Sequence, residues 1–505
     1  MTQSITSAVA DAGLARAAAG VVLPSFEGYD APQWILEALA DGLAGVVLFG
    51  RNVAGAEQVA RLSDQLRAVR NDVVVAIDEE GGDVTRLAHA TGSLYPGNAA
   101  LGAADDTDLT RRVYQALGAE LACGGISLDL APSVDVNTAA ANPIIGTRAF
   151  GSDPQLVARH SAAAVTGLQD AGVAACAKHF PGHGATQEDS HLRLPTVDVP
   201  LDVLRSRDLV PFIAAMAAGV RAVMTAHVRV PALTGDLPAT LSAAALQTLL
   251  RDELRFDGVI VTDALEMRGA RGSRNVPAAA AEAFVAGADL LCLGPRPGHQ
   301  TIAATVSAVA DTVRDGRVPA ARLEAACARI AGLSARPGRG ARAAPHGDPG
   351  MEAARAAVRM RGAVGPLDRP VVVQLQAPAT IAAGPVPWGV APWLLAAHNG
   401  GKVVAVDESG AKPADLLASA AGRSLIVVVR DAHRHQWMID IVEALVTART
   451  DTVVIEMGLP VWQPNHGGGY LATYGAARAN AAAAVELLTA SGVGELATDR
   501  DRELQ

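Results

Sequence analysis

The sequence predicts an α/β protein in two unequal parts: a (β/α)8 barrel over residues 1–335 and a smaller α/β domain over 369–495, with a linker at 336–368 and a tail at 496–505. Three observations lead to this. Short β-branched apolar runs alternate with Ala/Leu-rich helical stretches, titratable residues gather at one end of those runs, and the composition breaks near residue 335 before a second α/β pattern begins.

The runs in the first part are GVVL at 20–23, GVVLFG at 45–50, VVVAID at 73–78, ISLDLAP at 126–132, VAACAKHF at 173–180, AVMTAHV at 222–228, GVIVTDA at 258–264 and LLCLG at 290–294. They are continuously apolar rather than alternating, as strands buried on both faces of a parallel sheet are. Eight such strands separated by helices read as a (β/α)8 barrel. Asp78, Lys178, His179, His227 and Asp263 stand at or just past the C-terminal ends of their runs, the face on which a barrel carries its chemistry. Any one of them could merely mark where a strand stops; five together argue for a site.

The stretch ARPGRGARAAPHGDPG, at 335–350, is rich in Arg, Gly and Pro and reads as a linker, ending in a helix candidate around 351–361. New apolar runs follow at 371–375, 402–407, 425–430 and 452–457, with helical stretches near 436–448 and 473–490. The second domain is therefore expected to be an open sheet, and no glycine fingerprint for a nucleotide stands at its strand ends.

A chain of 505 residues can bury a core without disulfides. Its net charge of −10 argues against a sequence-independent nucleic-acid binder, which needs a basic footprint. Cys123, Cys176, Cys292 and Cys327 are widely spaced among apolar or small neighbours and read as buried thiols. The N-terminus shows no basic region followed by an apolar core, and no apolar run approaches the roughly 18 residues that span a bilayer. A soluble cytoplasmic protein without membrane partners is the expectation.

The densest chemistry lies in AKHFPGHG at 177–184, running on to Glu188-Asp189-Ser190-His191. Asp189 and His191 can meet if the backbone turns. A carboxylate on one imidazole nitrogen fixes the tautomer and leaves the other nitrogen for proton transfer. The same His179, His183, Asp189 and His191 could instead ligate a metal, or form a polar surface loop. Asp263 ends an apolar strand, where its carboxylate would point into the top of the barrel; the plainer role is a helix N-cap. Glu266 is expected in the first turn of the following helix. IDEEGGDVTR at 77–86 crowds four carboxylates near a Gly-Gly turn, with Arg86 eight residues after Asp78, and NPIIGTRAFG at 142–151 carries Arg148; carboxylates and arginines can hold sugar hydroxyls, although either arginine could be a solvated or salt-bridging ion.

These pieces, in this order, resemble glycoside hydrolase family 3, and within it the bacterial β-N-acetylglucosaminidases. The resemblance rests on GVVLF with Arg51-Asn52, IDEEGGDVTRL, LAPSVDVN at 130–137, NPIIGTRAFGSDP, AKHFPGHG with EDSH, VMTAHV, PATLS at 238–242 and GVIVTDALEM at 258–267. It spans the whole first part; the second resembles, more weakly, the α/β sandwich of two-domain members. The resemblance implies that Asp263 is the nucleophile of a retaining glycosidase and His191 its acid/base, with Asp189 as partner. It makes Asp78, Arg86, Arg148, Lys178 and His179 the contacts to a terminal sugar, and it implies neither metal nor cofactor. The Asp-Ser-His loop favours N-acetylglucosamine over glucose, with chito-oligosaccharides or peptidoglycan fragments as substrates.

Three positions depart from the pattern: Glu79 where members often have Gln, Asp83 where they have Arg, and Ala185 where some have Asp. An imidazole acid/base, with an unperturbed pKa of about 6.5, repels phosphate less than a glutamate does, so phosphate is an alternative acceptor to water. A metal-dependent hydrolase on the same barrel is the alternative from another class. Adjacent strand residues face opposite sides, yet the resemblance puts both Lys178 and His179 on the sugar. The backbone there is expected to be irregular, a non-proline cis peptide being one solution.

Overall fold

The computed structural model describes residues 2–334, 346–410 and 412–491. Each of the eight apolar runs contains a strand: β1 Val22–Leu23, β2 Gly45–Leu48, β3 Val74–Ile77, β4 Leu128–Asp129, β5 Ala174–Phe180, β6 Ala222–Thr225, β7 Val259–Thr262 and β8 Leu291–Cys292. Strands β2 to β7 form one parallel sheet in chain order, and β1 pairs in parallel with β8. Backbone bonds continue across both breaks: Val47 N–H donates to Pro24 O at 2.9 Å, and Thr262 N–H to Leu290 O at 2.9 Å. The sheet is thus curled, with helices outside it. Apart from half-buried Ala174 at the start of β5, every residue of these strands is buried, which is why their sequences show no period-2 polarity.

Beneath the curl, Asp289 carries much of the order at the N-terminal ends of the strands. Fully buried, it meets Arg251, Arg322 (3.0 Å) and Arg329 (3.2 Å), and accepts the N–H of Ile260 at 3.0 Å.

The second sheet runs β11-β10-β12-β13-β14-β9, with β9 Arg359–Gly362, β10 Val371–Leu375, β11 Lys402–Val406, β12 Leu425–Val429, β13 Val453–Glu456 and β14 Gly469–Ala472. Only the edge strand β9 is antiparallel. Alternate residues face opposite sides: Val372, Ile426, Val428 and Ile455 join one apolar cluster, and Val371, Val373, Val427 and Val454 another.

Here the structure corrects several readings. The helix expected around 351–361 ends earlier, at Pro349–Ala357, capped by the Asp348 side chain, and β9 follows it. Arg-Met-Arg-Gly on a half-exposed edge has no apolar period to announce a strand. Strand β14 was hidden by the glycines before it, although the backbones approach closely there: a Cβ on Gly362 of β9 would come within 2.8 Å of the Gly468 carbonyl. The helix expected from 473 starts only at Arg478. Cys176 and Cys292 are buried, but Cys327 is half-buried and Cys123 exposed. Of the expected linker, 336–345 lies outside the described residues, as does the tail at 496–505. Among the described residues, no helix is long and apolar enough to cross a membrane.

The two parts touch near the C-terminal ends of β2 to β7. Asp83 accepts from the Thr147 hydroxyl at 2.8 Å and from the Ala476 N–H at 3.1 Å, so one departure from the family pattern becomes a tie between the parts. His433 bonds the carbonyl of Ala140 at 2.9 Å. The 431–435 segment, which follows β12, is therefore a contact between the parts.

Asp289→Ala is expected to cost about 3–5 kcal/mol of stability by leaving three arginines facing a void, read as a lower denaturant midpoint at unchanged m-value.

Candidate active site

The C-terminal ends of the first sheet surround a cavity of about 890 Å³. Asp78 follows β3, Lys178 and His179 lie in β5, and Asp263 follows β7. Arg86, Arg148 and His191 reach it from the loops after β3, β4 and β5. All seven line this one cavity, and Asp189, the eighth candidate, stands behind His191.

One wall is a buried ion cluster. Lys178 bonds Asp78 and, at 2.6 Å, Glu80. Arg86 reaches Asp78 at 2.8 Å, and Arg148 grips Glu80 through two bonds of 2.6 and 2.9 Å. Burial alone would raise the Asp78 carboxyl, but Lys178, Arg86 and Arg148 outweigh it and hold the group well below the usual carboxylate range. Burial would likewise lower the Lys178 ammonium, yet Asp78 and Glu80 carry it up to about 12. Both groups stay charged and rigid, the state in which they can direct hydrogen bonds at hydroxyls.

The Lys178–His179 peptide is cis, and both side chains line the cavity, as the irregular backbone expected from the sequence requires. His179 Nδ1 meets Asp135 at 2.7 Å and its Nε2 faces Arg148 at 3.2 Å. Asp135 also accepts the His183 N–H at 2.7 Å and the Ser133 hydroxyl at 3.0 Å. Asp135 and Glu80 organise the site but were given no role from sequence; both stood inside quoted motifs, and only their contacts reveal what they hold.

The loop after β5 turns on glycines. Gly182 has φ +132°, and a Cβ on Gly184 would lie 1.9 Å from the carbonyl of Val136. His183 Nδ1 meets Thr186 at 2.8 Å; the Thr186 hydroxyl itself donates to the His183 carbonyl, so Nδ1–H donates to it. The remaining Nε2 accepts from Ser190 at 3.0 Å. Burial and the nearby His179 push His183 down to about 4, so it is a neutral strut beneath the 189–191 segment. There, Asp189 accepts both the N–H and the Nδ1–H of His191, at 2.8 and 2.7 Å. Burial opposes ionisation of Asp189, but these bonds hold its carboxyl below the usual range.

Asp263 is not an N-cap: the next helix, Arg268–Arg271, starts after Met267. One oxygen accepts the Ala264 N–H at 2.7 Å. Burial would raise its carboxyl, yet His227, His179 and His191 lower it. Glu266, expected in a helix, precedes that helix and lines the cavity. Among the described residues, no group of three or more His, Cys, Asp or Glu is placed to hold a metal ion.

The second part contributes directly. The segment from Ile381 to Val386 lines the cavity, and Arg86 donates to the carbonyl of Ala382 at 2.9 Å. No local signal could have announced a contact across 296 positions.

The chain is similar to known proteins. Residues 30–333 match the model of the glycosyl hydrolase family 3 N-terminal domain. A β-hexosaminidase of Stenotrophomonas maltophilia is 40% identical over 258 residues, covering 50% of this chain and 76% of the relative. β-Hexosaminidase A of Pseudoalteromonas piscicida is 35% identical over 318 residues, covering 58% of this chain; the chain spans 53% of that protein's length. Over nearly the full length, a family 3 β-N-acetylglucosaminidase from Paenibacillus sp. FPU-7 superimposes with a TM-score of 0.84 at 32% identity, covering 94% of this chain and 96% of that one.

The His183 environment sets a pH dependence. The unfolded chain binds the imidazole proton near the ordinary value of 6.5, the folded one near 4. Stability is therefore complete above about pH 6.5 and falls as pH drops toward 4, by about 2 kcal/mol at pH 5. Denaturant unfolding at pH 7.5 and pH 5 should show a smaller loss for His183→Gln than for the parent.

Proposed function

We propose that this chain, which belongs to glycosyl hydrolase family 3, is an exo-acting, retaining β-N-acetylhexosaminidase that removes terminal N-acetylglucosamine through a glycosyl-aspartate on Asp263. One observation carries the reading: an anionic Asp263 and the imidazole of an Asp189–His191 dyad open onto one cavity that a cluster of fixed charges also lines. The β-hexosaminidases and the β-N-acetylglucosaminidase to which the chain is similar support the substrate.

The terminal sugar sits with its hydroxyls on Asp78, Arg86, Arg148, Lys178 and His179. The free oxygen of Asp263 attacks the anomeric carbon as the bond to the leaving oxygen breaks, and His191 Nε2 gives that oxygen its proton. Asp189 holds the imidazole in the tautomer and orientation this requires, and stabilises its charged form. In the second step Nε2 takes a proton from water, whose oxygen bonds the anomeric carbon and releases Asp263. Two displacements retain the configuration.

The same reading takes the first domain as a closed (β/α)8 barrel over 1–335, supported by the bonds joining β1 to β2 and β7 to β8. The linker was expected at 336–368 with an α/β sandwich over 369–495; because β9 already belongs to the second sheet, the reading takes the sandwich from β9 onward, supported by an apolar cluster on each sheet face. Chito-oligosaccharides or peptidoglycan fragments are the substrates, and a cytoplasmic location is supported by four cysteines that are all thiols. Because the acid/base is an imidazole, phosphate is a second candidate acceptor; sugar 1-phosphate formed from chitobiose in phosphate buffer would establish it, and free sugar alone would exclude it.

Asp263→Ala should lower kcat on an aryl β-N-acetylglucosaminide by at least about 10³-fold. His191→Ala should cost about 10²–10⁴-fold on chitobiose and far less on an aryl glycoside whose leaving group needs no proton. Steady-state kinetics with EDTA present checks both and separates this chemistry from metal-dependent hydrolysis, which would stop.

A further inference from the structure

Between the two parts lies a second, smaller cavity of about 80 Å³, room for one small ion rather than a sugar ring. The loop at 142–147, which runs into Arg148, forms one side. Thr380 and the turn after β12, with Arg430, Arg434 and His435, form the other. Of the residues proposed for the sugar, only Arg148 borders this cavity, and its guanidinium is already committed to Glu80.

The cavity holds a surplus of unused donors. Among the described residues, neither the Arg430 nor the Arg434 guanidinium has a hydrogen-bond or ion-pair partner, although both side chains are half-buried. Arg430 is held over the Trp388 ring, its guanidinium carbon 4.9 Å from the centroid, a contact that uses the charge but none of the N–H groups. The Thr380 hydroxyl accepts the Ala383 N–H at 3.2 Å, so its own proton is free to be donated. Burial and the adjacent Arg434 hold the His435 imidazole below its ordinary value, so as a neutral ring it offers one N–H.

The two carboxylates on this cavity do not answer these donors. Asp83 already accepts from Thr147 and Ala476. Burial raises its carboxyl, and Arg430 only partly opposes this, from beyond ion-pair distance. Asp431 turns onto its neighbouring backbone: it accepts the Leu459 N–H at 3.0 Å and packs against Gly458, where a Cβ would collide with it. Guanidinium groups drawn out of water without a counter-ion are unfavourable, and arginine forks are the groups that grip phosphate.

We propose that Arg430, Arg434, His435 and Thr380 form a binding site for a small tetrahedral oxyanion of the phosphate class at the domain interface. Four donor groups from two separate segments suit an anion with four oxygens better than a carboxylate with two. Because the facing wall is the 142–147 loop, the bound anion bridges the second domain to the segment that carries Arg148. It is bound there and not consumed, so the site is independent of how the catalytic cavity is read.

Isothermal titration calorimetry of the full chain with inorganic phosphate, at constant ionic strength, tests this. The parent should bind one phosphate per chain. Arg430→Gln and Arg434→Gln should each weaken binding by about tenfold or more, the loss expected when a charge-assisted bond is removed. Binding that survives both substitutions would place the phosphate elsewhere, such as beside His191 as an acceptor, and would overturn the assignment. No saturable binding by the parent would overturn it outright, and acetate bound as tightly as phosphate would overturn the phosphate class. Should the arginine variants fail to fold, Thr380→Val decides: several-fold weaker binding is expected, and unchanged binding would overturn the site.

Discussion

The site depends on a buried lysine that carries two carboxylates. Lys178, 2% exposed, stands between Asp78 and Glu80, and each carboxylate is gripped from outside by an arginine, Arg86 or Arg148. Removing either carboxylate would leave a buried arginine without its partner, so the five are fixed together. They also join segments far apart in the chain: the turn after β3, the loop after β4, β5 itself and, through the Arg86–Ala382 bond, the second domain. The wall proposed to receive the sugar is therefore the same structure that locks these loops to one another.

From that cluster the order spreads in two directions. Arg148 passes it to His179, which Asp135 holds from behind while also fixing the backbone of His183. His183 supports Ser190, and the next residue is the acid/base candidate His191. The dyad sits on a loop, yet a chain of buried bonds ties it to the strand ends, and a loop so tied can place a proton reproducibly. On the other side Asp263 leaves β7 with one oxygen bound to its neighbour's N–H and the other free. Nearby His227, His179 and His191, together with the Ala264 N–H, lower its carboxyl without a lysine or arginine beside it, which keeps the proposed nucleophile ionised.

Much of this was legible in the sequence because it is local. Buried parallel strands declare themselves as continuous apolar runs, and all eight contain strands. The chemistry at their ends follows from a change of residue type within one or two positions, which brought Asp78, Lys178, His179 and Asp263 to notice. Asp189 and His191 are two apart and needed only a turn. What stayed hidden is non-local or lacks a period. Glu80 and Asp135 look like any polar residues near strand ends until their partners are in place. The contribution of 381–386 depends on how one domain lies on the other. Strands β9 and β14 pair at an edge, where neither alternation nor an apolar run is needed. Glu266 was misplaced because Asp-Ala-Leu-Glu looks helical, while its bond to Gly294 draws it back over the cavity.

The central claim is that Asp263 takes the sugar covalently and His191 returns it to an acceptor. The most direct measurement is the anomeric configuration of the first-formed product, followed by proton NMR during turnover of an aryl β-N-acetylglucosaminide before mutarotation blurs it. The account predicts β-N-acetylglucosamine first, with the α form growing in only as mutarotation proceeds; α as the initial product would contradict the account, because it would mean a single displacement with no glycosyl-Asp263.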